Sequence, residues 1–226
     1  MRTKLMLWGT AAALALGSTA AMASVVVVKS LGPSSKAYPP GKTLPESAKI
    51  TLQGGDVVTL LGPGSAKTLR GPGNFDTKQV AMAAASSRRG RFGALRASEV
   101  AQNPGIWDID VSKDGKRCVS TDNKIRLWRP MTDGAVTVKV RKPDGSSEPV
   151  TWASGSALTD WPTGLAIKSG ETYKVEWPAS GDKSALEFVS VKAPADLVGT
   201  AQVLIANGCN YQLDLLVASA GKGKGH

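Results

Sequence analysis

The chain of 226 residues holds two cysteines, Cys118 and Cys209, and each has only the other as an intrachain partner. Whether they bond depends on the compartment, because disulfides persist in oxidising surroundings and are rare in reducing ones. The N-terminus speaks to that. Arg2 and Lys4 precede an apolar run of 13 residues, Leu5 to Gly17, and Ala21-Met22-Ala23 follows in the small-x-small form. This predicts a signal peptide over residues 1–23, cut between Ala23 and Ser24. The run is shorter than the roughly 20 residues that a spanning helix needs. No later stretch is apolar for long enough, so no membrane span is expected after cleavage. An exported chain with two cysteines predicts one disulfide, which closes everything between Cys118 and Cys209 into one loop. The expected location is the periplasm of a Gram-negative host, or the exterior if the chain is secreted further.

Cleavage leaves 203 residues and lowers the formal charge from +10 to +8. That length suits one large domain or two small ones. Glycine and proline are frequent and dispersed, which predicts short strands joined by tight turns. Val25 to Val28 reads as a buried strand. Ile50-Thr51-Leu52 and Val57 to Leu61 flank Gly54-Gly55-Asp56, which predicts a hairpin. Gly62-Pro63-Gly64, Lys67-Thr68-Leu69 and Gly71-Pro72-Gly73 complete a small β-meander over residues 24–75.

The order of these phrases resembles the FecR-type β-module of bacterial envelope proteins. More closely, it looks like a group of uncharacterised exported alphaproteobacterial proteins with that module at their N-terminus. The residues that carry the resemblance are Ile50, Leu52, Gly55, Asp56, Leu69, Gly71, Pro72 and Gly73. It covers about a quarter of the chain and implies an envelope role. Sigma-factor regulators of this type also carry a membrane span and a cytoplasmic segment, neither of which is seen here.

Residues 76–104 read as a basic, partly helical linker, with Arg88, Arg89, Arg91 and Arg96 clustered as a candidate patch for an acidic partner. Residues 105–192 show strands and turns spaced by about 8–12 residues, which predicts an immunoglobulin-like β-sandwich. Expected strands include Ile106 to Val111 and Arg117 to Val119, joined by a hairpin turn at Lys113-Asp114-Gly115-Lys116. Further strands are expected at Val136 to Val140, Leu165 to Ile167, Tyr173 to Trp177 and Leu186 to Val191. Residues 193–219 read as a helical hairpin, with Leu197, Ala201, Leu204 and Ile205 on one face and Asn207-Gly208 as the turn. The rival reading is a β-hairpin about Asn207-Gly208, since Leu213, Leu215 and Val217 alternate. Residues 220–226 read as a flexible tail.

The chemistry is restricted by composition. The one histidine is His226, the last residue, which has no packing to hold it as a catalytic base or metal ligand. Gly62 to Thr68 lacks the glycine spacing of a phosphate loop. Asp110 to Gly115 matches half of a calcium loop, but Thr121 stands where the bidentate glutamate belongs. No catalytic residue, metal or cofactor is therefore assigned. Five tryptophans lie between residues 107 and 177. Trp152 and Trp161, in loop-like surroundings, are the candidates for stacking on a ligand. The expected function is a non-enzymatic exported interaction or scaffold protein of the cell envelope. The alternative is a glycan- or peptidoglycan-binding module that uses exposed tryptophans and basic charge. The expected partner is another envelope protein or an anionic envelope polymer, and not nucleic acid.

Overall fold

The computed structural model describes residues 24–81, 103–178 and 180–221. The leader with Ala23, the arginines of the linker and the last residues of the tail lie outside them. The architecture is mainly β, with a C-terminal helical pair, as the strand and turn pattern predicts.

The N-terminal unit has six strands: β1 (Ser24–Leu31), β2 (Thr43–Pro45), β3 (Lys49–Leu52), β4 (Val57–Leu61), β5 (Ala66–Arg70) and β6 (Gly73–Asp76). Its connections are not those of a simple meander. One antiparallel sheet runs β2-β1-β4-β5, and β3 pairs with β6 in a second. The expected hairpin at Gly54-Gly55-Asp56 is instead a corner between sheets. Asp56 makes it so. Its buried carboxylate accepts the backbone N–H groups of Gln53 (2.6 Å) and Ser34 (2.9 Å), tying three segments together. The Gly71 N–H donates to the Asp56 carbonyl, and a Cβ on Gly71 would collide with the Gln53 carbonyl. Val25, Val27, Ile50, Leu60 and Leu69 pack between the two sheets. Val80 and Ala81, placed in the linker by sequence, belong to this core as well. Thr77, fully buried, anchors them: its N–H donates to the Ala48 carbonyl, and its hydroxyl lies within hydrogen-bond reach of the Pro45, Glu46 and Ala48 carbonyls.

Eight strands follow: β7 (Asp108–Asp110), β8 (Gly115–Ser120), β9 (Arg126–Trp128), β10 (Val136–Arg141), β11 (Ser147–Trp152), β12 (Leu158–Asp160), β13 (Thr172–Glu176) and β14 (Lys183–Val191). A five-stranded sheet, β11-β10-β13-β14-β8, faces a three-stranded one, β12-β9-β7. Ile109, Leu127, Val138, Val140, Trp152 and Phe188 are among the side chains that fill the space between. This is the expected β-sandwich, with two local corrections. Strands β7 and β8 do not form a hairpin. Each pairs in parallel, β7 with β9 and β8 with β14, so residues 111–114 carry the chain from one sheet to the other. The turn is set by Asp110, whose Oδ1 accepts both the N–H and the hydroxyl of Ser112, and by Asp114, which accepts the Ala185 N–H of β14. The second correction concerns Leu165 to Ile167, which is loop. The Tyr173 hydroxyl donates to the Ala166 carbonyl and accepts the Lys168 N–H, leaving no ladder for a strand there.

Helices α1 (Leu197–Ala206) and α2 (Asn210–Gly221) follow the sandwich. Asp196 caps α1 by accepting the Gly199 N–H, and Gly208, at φ 69°, makes the turn between them. The helices do more than cover the sandwich. Leu197, Ala201, Leu204, Leu213 and Leu216 share one core with Val26, Val28 and Leu61 of the N-terminal unit and with Cys118 and Val191 of the sandwich.

Candidate functional site

The helical pair is welded to strand β8 by the Cys118–Cys209 disulfide, with Cα atoms 5.8 Å apart and both residues fully buried. Strand β8 is an edge of the large sheet, so the Cys118 N–H and C=O point away from β14. Gln212 of α2 satisfies both. Its Oε1 accepts the Cys118 N–H (2.6 Å), and its Nε2 donates to the Cys118 and Ile106 carbonyls (2.8 Å each). One buried side-chain amide thus does the work of a neighbouring strand and closes the edge to further pairing.

Beside it, Tyr211 donates to the Asp110 carboxylate at 2.6 Å and lies 4.6 Å under the Arg117 guanidinium. Burial, and then the bond to Asp110, push the Tyr211 phenol far above its ordinary range, so it stays a proton donor. Burial pulls Arg117 down, opposed by the charge of Asp110. Arg117 donates to the carbonyls of Lys113, Asp114 and Lys116. The calcium-like loop of the sequence therefore encloses a cation of its own, the guanidinium. Among the described residues no group of His, Cys, Asp or Glu is placed to hold a metal ion. The Asp110–Tyr211–Arg117 cluster is a structural tie between α2 and the sheet corner.

The two tryptophan candidates separate. Trp152 is fully buried and unavailable to a ligand, a correction to the stacking role expected of it. It pairs with Val136 at the end of β11 and points inward with Val150. Its indole N–H donates to the Ala157 carbonyl, and its ring stacks on Trp177 at 6.3 Å. Trp161 is half-buried. It meets Tyr173 and Phe188 edge to face, at 5.5 and 5.2 Å, and its N–H donates to the Leu165 carbonyl. It lines an open groove of about 450 Å³ with Thr121, Asn123, Lys124, Pro162 and Leu165. At the rim, Lys124 pairs with Asp160 at 2.7 Å. A smaller cleft of about 260 Å³ lies between Trp177, Lys139 and Lys183.

The basic patch at Arg88, Arg89, Arg91 and Arg96 lies outside the described residues. Charge is nevertheless segregated within them. Residues 24–81 carry seven Lys and Arg against Glu46, Asp56 and Asp76, and Asp56 is buried. The ion pairs found among the described residues all lie between residues 108 and 187. The sequence reading missed both this segregation and the Tyr211-Gln212 pair. Counting charge by unit would have found the first, whereas the second depends on where α2 docks. No protein-family model matches the chain, and no curated protein is found to be similar to it.

Proposed function

We propose that the chain is a non-enzymatic interaction or scaffold module of the cell envelope, exported to the periplasm of a Gram-negative host. The observation that carries this reading is the buried Cys118–Cys209 bond inside a core shared by both β-units. A disulfide of this kind accords with an oxidising compartment, and so supports the signal-peptide reading of residues 1–23. The shared core joins the two units through the helical pair, which suits a body that presents surfaces in fixed relation. The FecR-type reading of the N-terminal unit points to the same place. Treating the native envelope with a short amine-reactive crosslinker should shift the protein into discrete higher-mass species containing a second component. Recovery of uncrosslinked protein alone, at reagent levels that crosslink neighbouring envelope proteins, would count against it.

A second reading, glycan binding, is favoured by the groove at Trp161. A polysaccharide seated there should change the tryptophan emission, and Trp161→Leu should remove the change. An unaltered spectrum with envelope polysaccharides would sink it.

A further inference from the structure

The N-terminal sheet has an irregularity that changes what it displays. In strand β1, Val26 pairs with Leu61 and Val27 with Leu60, but Lys29, not Val28, pairs with Thr59. One residue is bulged out. Without the bulge, strict alternation would send Lys29 and Leu31 after Val25 and Val27 into the inner core. With it, they turn to the opposite face, the one that carries Val26 and Leu61. At one end of that face Val26, Val28 and Leu61 pack in the core shared with the helices. At the other end Lys29 is exposed and Leu31 is 55% exposed, rare among the large apolar side chains described. The bulge has a cost. Ser30 is turned inward opposite Val58, and its hydroxyl is buried without a partner.

The register across β1, β4 and β5 then fixes a small array. Lys29, Thr59 and Thr68 form one row, and Leu31, Val57 and Arg70 form the next on the same face. Thr59, buried in the middle column, bonds through its hydroxyl to that of the exposed Thr68 at 3.0 Å. Lys29 and Arg70 stand at opposite corners, with Cα atoms about 12 Å apart from strand spacing and rise. This array lies on the unit whose cations form no ion pair among the described residues. In residues 103–192, by contrast, thirteen cations face twelve anions. A one-signed field on one end of the molecule recruits the opposite charge.

We infer that this bulge-presented face, with Lys29 and Arg70 as its anchoring cations, binds a polyanionic polysaccharide, one bearing carboxylate, sulfate or phosphate groups along its length. The inference rests on the reading of the chain as an envelope interaction module and gives it a ligand class. Leu31 and Val57 supply apolar contact for the sugar rings between the charged groups, and Thr68 supplies a hydroxyl.

The test uses the exported full chain, heparin as the probe polyanion, and calorimetric titration at several salt concentrations. Heparin should bind and neutral dextran should not. Lys29→Gln/Arg70→Gln should weaken binding and lower the slope of log K against log salt by about 1 to 2, as expected for two lost ionic contacts. Thr68→Glu, which sets a negative charge in the row of Lys29 and two residues from Arg70 on the same strand, should weaken it further. Lys139→Gln/Lys174→Gln, an equal charge change on the sandwich, should leave the slope unchanged. Thermal melting like that of the parent qualifies each variant. Equal losses for the two double variants would overturn the inference, because net charge would then suffice. So would binding to phosphatidylglycerol vesicles but not to heparin. Failure to bind heparin at physiological salt would overturn it while leaving the envelope crosslinks, and the broader reading, in place.

Discussion

Replacing Gln212 should unpin helix α2 from the edge of the large sheet. Its amide makes three bonds to backbone groups, and the residue is fully buried. Removing it orphans the Cys118 N–H and C=O and the Ile106 C=O. An orphaned buried group costs about 1–3 kcal/mol. The Gln212→Ala variant, which also leaves a cavity, should therefore lose about 3–5 kcal/mol at neutral pH. Gln212→Leu fills the space without restoring the bonds and should fall between. Gln212→Glu adds a test of sign. Its second oxygen would face two carbonyls, so the buried acid favours its protonated form, and its folded pKa lies above the unfolded value of about 4.3. Below that value the variant should approach the parent. As pH rises above it, the difference should grow by about 1.4 kcal/mol per unit until the folded pKa is passed. Urea unfolding followed by tryptophan fluorescence, with the parent measured at each pH, reads this directly. A Gln212→Leu variant within about 0.5 kcal/mol of the parent would refute the edge-closing role.

Cys118→Ser/Cys209→Ser should lose up to about 4.6 kcal/mol, from a loop of 91 residues in the chain-entropy model. With the bond intact, tryptophan fluorescence, which after leader removal reports residues 107–177, should unfold together with far-UV circular dichroism, which reports both units. Separate transitions would show that the shared core does not couple the units. Asp56 should confer acid sensitivity. Burial would raise its carboxyl, but the hydrogen bonds from Ser34 and Gln53 outweigh that and hold it below the usual range. Its contribution is present above the unfolded value near 3.9 and is lost as pH falls through the lower folded one. Asp56→Asn should melt lower at pH 7 and lose less than the parent on acidification. An unchanged melting temperature at pH 7 would show that the corner does not depend on the carboxylate.

What the sequence makes legible here is mostly local. The alternation of Val136, Val138 and Val140 and the apolar face of residues 197–205 follow from strand and helix periods, and both are found as read. Compartment chemistry made the cysteine pair legible before any geometry. Pairing partners were another matter. Ile50–Leu52 and Val57–Leu61 look like hairpin arms, but they pair in different sheets, and the Asp56 carboxylate between them takes the Ser34 N–H from 22 residues away as well as the local Gln53 N–H, which no short window shows. Strands β7 and β8 part at a corner that Asp110 and Asp114 tie to distant chain. The display of Lys29 was hidden for a related reason. Parity along Val25 to Val28 holds only until the bulge, and the bulge exists through register with β4. Trp152 reads as accessible from its loop-like surroundings, yet its strand parity with Val150 sends it inward.

On the proposed reading, the exported chain binds its partner through its N-terminal face. A photo-crosslinking residue placed at Leu31 in cells exporting the full chain tests it most directly. Met131, 74% exposed on the other unit, is the control position. Light-dependent high-mass adducts should form from Leu31 and not from Met131. Adducts from neither position, or in equal amount from both, would contradict the claim.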